Sequence, residues 1–134
     1  MKTTIKAFLI LSLFAFTFNS CKEEDEENEL HLEFKTGTGY TYADATVAGG
    51  SAIKIGVEGE TEKANDPIIS FNISESVAGG TAATVHQQTL NDTDFDYDYL
   101  DTLGTTSGET HKYIFTITNR DGINKQVDLT VTVQ

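Results

Sequence analysis

The chain has 134 residues, with eleven glycines, one proline, one cysteine and no tryptophan, and a formal charge of −12. That length holds one ordinary domain and excludes two. The acidity argues against nucleic acid, whose phosphates need Lys and Arg, and a lone cysteine excludes an intramolecular disulfide.

Lys2 and Lys6 make a short positive start, followed from Ala7 to Phe18 by an apolar run broken only by Ser12 and Thr17. A membrane-spanning helix needs about 20 such residues, so this run is too short to span. Residues 1–20 therefore read as a secretory signal peptide. Their removal takes Lys2 and Lys6 and no acidic residue, leaving −14. Residues 21–29 begin with the only cysteine, Cys21, and continue as the acidic run KEEDEENE. Like charges keep such a linker extended, and eight residues reach at most about 27 Å.

Residues 30–134 alternate strand-like runs with Gly, Asn and Asp clusters, which predicts one all-β sandwich of about seven strands. Leu30, Leu32 and Phe34 point inward in the first run, and Ile53, Ile55 and Val57 in the second. The stretch between them, around Asp44, reads as loop. Pro67 opens a strand with Ile69, Phe71 and Ile73 inward, and Thr81 to Leu90 reads as an edge strand. Phe95, Tyr97 and Tyr99 then alternate with Asp94, Asp96 and Asp98. Tyr113, Phe115 and Ile117 form the next inward set, Asp121-Gly122 is a hairpin turn, and Val127, Leu129, Val131 and Val133 close the core.

Three resemblances attach to these residues. Ser20-Cys21 behind the apolar run resembles a bacterial lipoprotein signal, which implies cleavage before Cys21 and a covalent diacylglycerol on it. Cys21-Lys22-Glu23-Glu24 resembles the export signal of Bacteroidetes-type surface lipoproteins. The implied location is the outer membrane, lipid-anchored and facing the cell surface, with the periplasmic face as the alternative. Gly108 to Phe115 is similar to the tyrosine corner of immunoglobulin-like domains, with Tyr113 as the tyrosine. Phe115 then stands where antibody domains have cysteine, and Phe71 or a neighbour where they have tryptophan. A Greek-key, immunoglobulin-like sandwich is what this implies.

Candidate sites are few. Asp92, Asp94, Asp96 and Asp98 occupy every second position, so one strand face would carry all four. Calcium takes six to eight oxygens and would need further ligands such as Asp44, Asp66 or Asp121. Counted from Asp92, an EF-hand loop would place its glycine at Tyr97 and its closing glutamate at Leu103, so that template fails. A solvated face that protects a strand from foreign pairing is the simpler reading, with no metal. Tyr40 and Tyr42, in a Gly/Thr-rich stretch, are candidates for stacking on sugars, or for packing at the sandwich end. Asp101-Thr102-Leu103 resembles the O-glycosylation acceptor of extracytoplasmic Bacteroidetes proteins, at Thr102.

Catalytic patterns are missing from the sequence. His31, His86 and His111 are isolated, with no HExxH, and Gly37-Thr38-Gly39 lacks the later glycine of a phosphate loop. The expectation is a non-enzymatic binding or structural module of the envelope, without cofactor. Its partner would be an envelope protein, an adhesion target or a glycan. A carbohydrate-binding accessory lipoprotein is the alternative, and a small hydrolase with an unrecognised carboxylate pair the third reading.

Overall fold

A computed structural model describes residues 29–134. Eight strands account for most of that span: β1 (Leu30–Phe34), β2 (Ala45–Val47), β3 (Ala52–Thr61), β4 (Ile68–Val77), β5 (Ala83–Asp92), β6 (Asp94–Thr102), β7 (Thr110–Asn119) and β8 (Asn124–Val133). They form a β-sandwich of a three-stranded sheet, β1-β3-β6, and a five-stranded sheet, β2-β8-β7-β4-β5. Every pairing is antiparallel except the short parallel one between β2 and β8.

Alternation explains most of the core. Leu30, Leu32, Ile53, Ile55 and Val57 from one sheet meet Phe71, Ile73, Tyr113, Phe115, Ile117, Leu129, Val131 and Val133 from the other. Gly59 falls on the inner face, where a Cβ would lie 3.2 Å from the Ile117 side chain. Its missing side chain lets the facing sheet come close. Phe71 is the aromatic hub, with Phe95 at 4.6 Å, Tyr97 at 5.3 Å and Phe115 at 6.4 Å between ring centroids.

Two elements differ from expectation. The stretch around Asp44 holds β2, whose three residues are kept straight by β8 rather than by their own pattern. In β4 the inward residue is Ile68, fully buried, and Ile69 is only partly so. The register against β7 steps from Ile68↔Asn119 to Ser70↔Thr118. That bulge inserts one extra residue and shifts the phase, so Ile68 and Phe71 share a face three positions apart.

At the end where β1 begins, buried Asp66 accepts hydrogen bonds from the Asn119 side-chain amide and the Asp121 backbone N–H. Arg120, the only arginine, donates to the Asn65 carbonyl at 3.2 Å and to Asn91 Oδ1 at 3.3 Å. These contacts brace the Asp121-Gly122 turn, where Gly122 has φ 86°.

Candidate functional site

Because the core takes every second residue of β1, β3 and β6, the remaining ones project from the outer face of the three-stranded sheet. Register aligns them in rows: His31, Glu60 and Asp94 in one, Glu33, Glu58 and Asp96 in the next. Over these rows lies a groove of about 590 Å³, which Lys125 of β8 also lines. Glu33, Glu58, Glu60 and Asp94 form no ion pair with any cation among the described residues. The groove is therefore rich in carboxylates outside any ion pair.

A charge cluster closes one end of this face. Lys35 Nζ donates to Asp96 Oδ2 at 2.7 Å and to Asp98 Oδ1 at 3.0 Å, with its side chain only 13% exposed. Lys54 Nζ stands 3.2 Å from Asp98 Oδ2 and 4.2 Å from the centre of the Tyr40 ring. The Tyr40 hydroxyl donates to the same Asp98 carboxylate. Beneath them is Gly56, where a Cβ would come within 2.6 Å of the Tyr40 ring and 2.7 Å of Lys35 Cδ. Hydrogen bonding to Lys35 first, then to Lys54 and Tyr40, holds the Asp98 carboxyl below the usual carboxylate range despite some desolvation. Bonding to Asp96 leads the causes that raise Lys35 above its ordinary value, against a desolvation that lowers it. Lys54 is raised by Tyr40 first and then by Asp98.

The aspartate series is divided by the fold. Asp92 ends β5 in the five-stranded sheet, whereas Asp94, Asp96 and Asp98 belong to β6 in the other. Thr93 lies between the two strands, so the four do not share one face. Two of the carboxylates considered as further calcium ligands have backbone partners: Asp44 accepts from Thr130 N at 2.8 Å, and Asp66 accepts from Asp121 N at 3.0 Å and braces the β7–β8 turn. Among the described residues no group of three or more His, Cys, Asp or Glu gathers as a metal site.

Tyr40 is engaged by Lys54, Gly56 and Asp98, and Tyr42 is 48% exposed. Thr102 is exposed at the end of β6. Its neighbours have structural roles, since Asp101 accepts from the Tyr113 hydroxyl at 2.6 Å and Leu103 is buried. Cys21, Lys22, Glu23 and Glu24 lie outside the described residues.

A second cluster, unforeseen from sequence, sits in the five-stranded sheet, where β4 ends and β7 begins. The His111 ring is nearly buried, with Nδ1 2.7 Å from Glu75 Oε1 and Nε2 3.0 Å from Glu109 Oε1. Desolvation alone would lower its pKa, but the two carboxylates outweigh it and raise the imidazole above its ordinary value. Burial, followed by the bond to Asp101, likewise pushes the Tyr113 phenol far up. The sequence signal for the Lys35 cluster was two lysines in phase with outward carboxylates. For His111 there was none, because Glu75 is supplied by a different strand.

Comparison with protein families and with curated proteins finds no match for this chain. Among solved structures it is similar to a superoxide reductase (neelaredoxin) from Ignicoccus hospitalis, at TM-score 0.59 and 9% identity, over 84% of this chain and 87% of that one. It is also similar to Spo0M, a sporulation control protein from Bacillus subtilis, at TM-score 0.42 and 15% identity. That alignment covers 79% of this chain and 49% of Spo0M, so the chain spans about half of Spo0M's length. The first likeness corrects the expectation of a non-enzymatic domain. A superoxide reductase of this fold is an enzyme, so a small sandwich without a nucleophile motif is no ground for denying catalysis. At 9% identity the likeness is one of fold, and it transfers no activity.

Proposed function

We propose that this chain is a lipid-anchored module of the bacterial cell envelope that binds a partner through the outer face of its three-stranded sheet. The observation that carries the binding part is the convergence of Glu33, Glu58, Glu60 and Asp94 on one groove, four carboxylates facing the single lysine Lys125 and none of them in an ion pair among the described residues. The fold does not need them there, because their alternating neighbours already fill the core. Like charges on adjacent strands oppose folding, and a ligand offering hydroxyl or ammonium donors relieves that repulsion.

The anchor part rests on Ser20-Cys21 behind the apolar run and on Lys22-Glu23-Glu24 after it. In this reading residues 1–20 are cleaved, Cys21 carries the diacylglycerol, and the acidic linker holds the domain within roughly 27 Å of the bilayer. An immunoglobulin-like Greek key is supported by the connections. Strand pairs β4–β5 and β7–β8 are hairpins of one sheet, while the chain changes sheets between β5 and β6 and again between β6 and β7.

The reading is tested at the anchor and at the groove. Cys21→Ala should release the protein from the membrane fraction, and its persistence there would remove the anchor. Protease added to intact cells should digest the domain, whereas protection would move it to the periplasmic face. For binding, a glycan array and cross-linking on cells are run with the wild type and with Glu58→Gln/Asp94→Asn. Captured material that is lost in the double variant identifies the ligand class, and capture indifferent to it dismisses the groove.

A further inference from the structure

We infer that the free edge of β5 is the surface through which two copies of this chain pair, antiparallel, into one continuous sheet. β5 ends the five-stranded sheet, so only its β4 side is paired. Yet it runs for ten residues and buries one side chain, Leu90, with His86 partly covered. A strand on which both faces meet water recovers little hydrophobic energy for the ordering it requires. Its length is not explained by the core of a single copy.

Charge identifies the occupant. No Asp, Glu, Lys or Arg occurs from Ser76 to Asn91, the longest such interval after residue 28 of a chain whose formal charge is −12. The edges of the other sheet are guarded: β1 carries Glu33, and β6 carries Asp94, Asp96, Asp98 and Asp101. Charges of this kind normally protect a strand edge from another chain, and β5 has no proline and no charge before its last residue, Asp92. A second copy is therefore repelled along β1 and β6 but can approach along β5. A two-fold axis presents the same uncharged edge from both sides, which satisfies an isologous contact. The aspartates of β6 stay out of it, since they project from the outer face of the opposite sheet.

The register follows from the bulges. Pairing with β4 is regular only from Ser70↔Thr89 to Ile73↔His86, with irregularities on either side. Bulged flanks twist the edge away, leaving His86 to Thr89 as the straight run. Centring the axis there sets Gln87 of one copy beside Gln88 of the other, and His86 beside Thr89. The contact is isologous, each copy presenting the same short run to the other, so it closes at two.

The test uses the full chain carrying Cys21→Ser, in nonionic detergent, examined by sedimentation equilibrium. Gln87→Lys/Gln88→Lys and Gln87→Glu/Gln88→Glu each bring four like charges face to face. The parent should be dimeric. Each double variant alone should be monomeric, with Kd raised at least about tenfold, and an equal mixture of the two should recover the dimer. That recovery also certifies that the variants are folded. A parent that stays monomeric up to roughly 100 µM overturns the inference. So does a dimer that survives both charge sets, or a mixture of monomeric variants that does not associate.

Discussion

Strands β5 and β6 are consecutive, separated only by Thr93, and both lie at sheet edges. β6 is held on both faces. Phe95, Tyr97 and Tyr99 reach inward to Phe71, Phe115 and Tyr113, while Asp96 and Asp98 are bound from outside by Lys35 and Lys54. β5 is held by its backbone ladder to β4, by Leu90 and by the His86 ring stacked 4.5 Å from Tyr97. The same length of strand is therefore anchored by side chains in one case and by main chain in the other. Strong alternation marks a strand whose two faces have separate tasks; weak alternation marks one held chiefly by its backbone ladder.

The largest effect should come from the ring that serves both strands. Phe71→Ala should cost about 3–5 kcal/mol in urea unfolding, whereas Gln87→Ala, on the exposed face of β5, should stay within about 0.5 kcal/mol. Equal losses would mean that β5 is also anchored by its side chains. Next is Gly56→Ala, which drives a methyl into Tyr40, Lys35 and Asp98 together and should cost about 1–3 kcal/mol by the same measurement. An unchanged urea midpoint would show that the outer cluster gives way freely and does not secure β6.

The smallest effect concerns pH. Asp98 is held below its ordinary value of 3.8, so its pairing stabilises the fold above that value and is lost as pH falls through the lowered one. Asp98→Asn should therefore unfold at lower urea than the wild type near neutrality, and the two should converge once the pH has fallen below that lowered value. A gap that persists in acid would assign the loss to shape rather than charge.

Much of the sandwich was legible in advance. The inward residues of β1, β3, β6, β7 and most of β8, and the Asp121-Gly122 turn, follow from period-two burial and turn chemistry. Three features were not. Ile68 replaces Ile69 because of a bulge created by pairing with β7, and β2 exists because β8 offers it a partner. Asp92 leaves the aspartate series because the chain changes sheets at Thr93. Of the candidate site, the outward carboxylates of β6 were visible, but their union with Lys35, Tyr40 and Lys54 over Gly56 was not.

By itself the amino-acid sequence determined which residues must leave water, and hence which stretches become strands and which face of each is buried. It also determined that the longest interval of the domain without Asp, Glu, Lys or Arg runs from Ser76 to Asn91. Only the tertiary structure decided which strands are neighbours, which edges stay open, and which carboxylates meet a lysine and which line an unpaired groove. The physical reason lies in range. Burial preference acts residue by residue with period two, whereas strand pairing, register and ion pairing depend on groups remote in sequence, whose meeting is set by the summed contacts of both sheets.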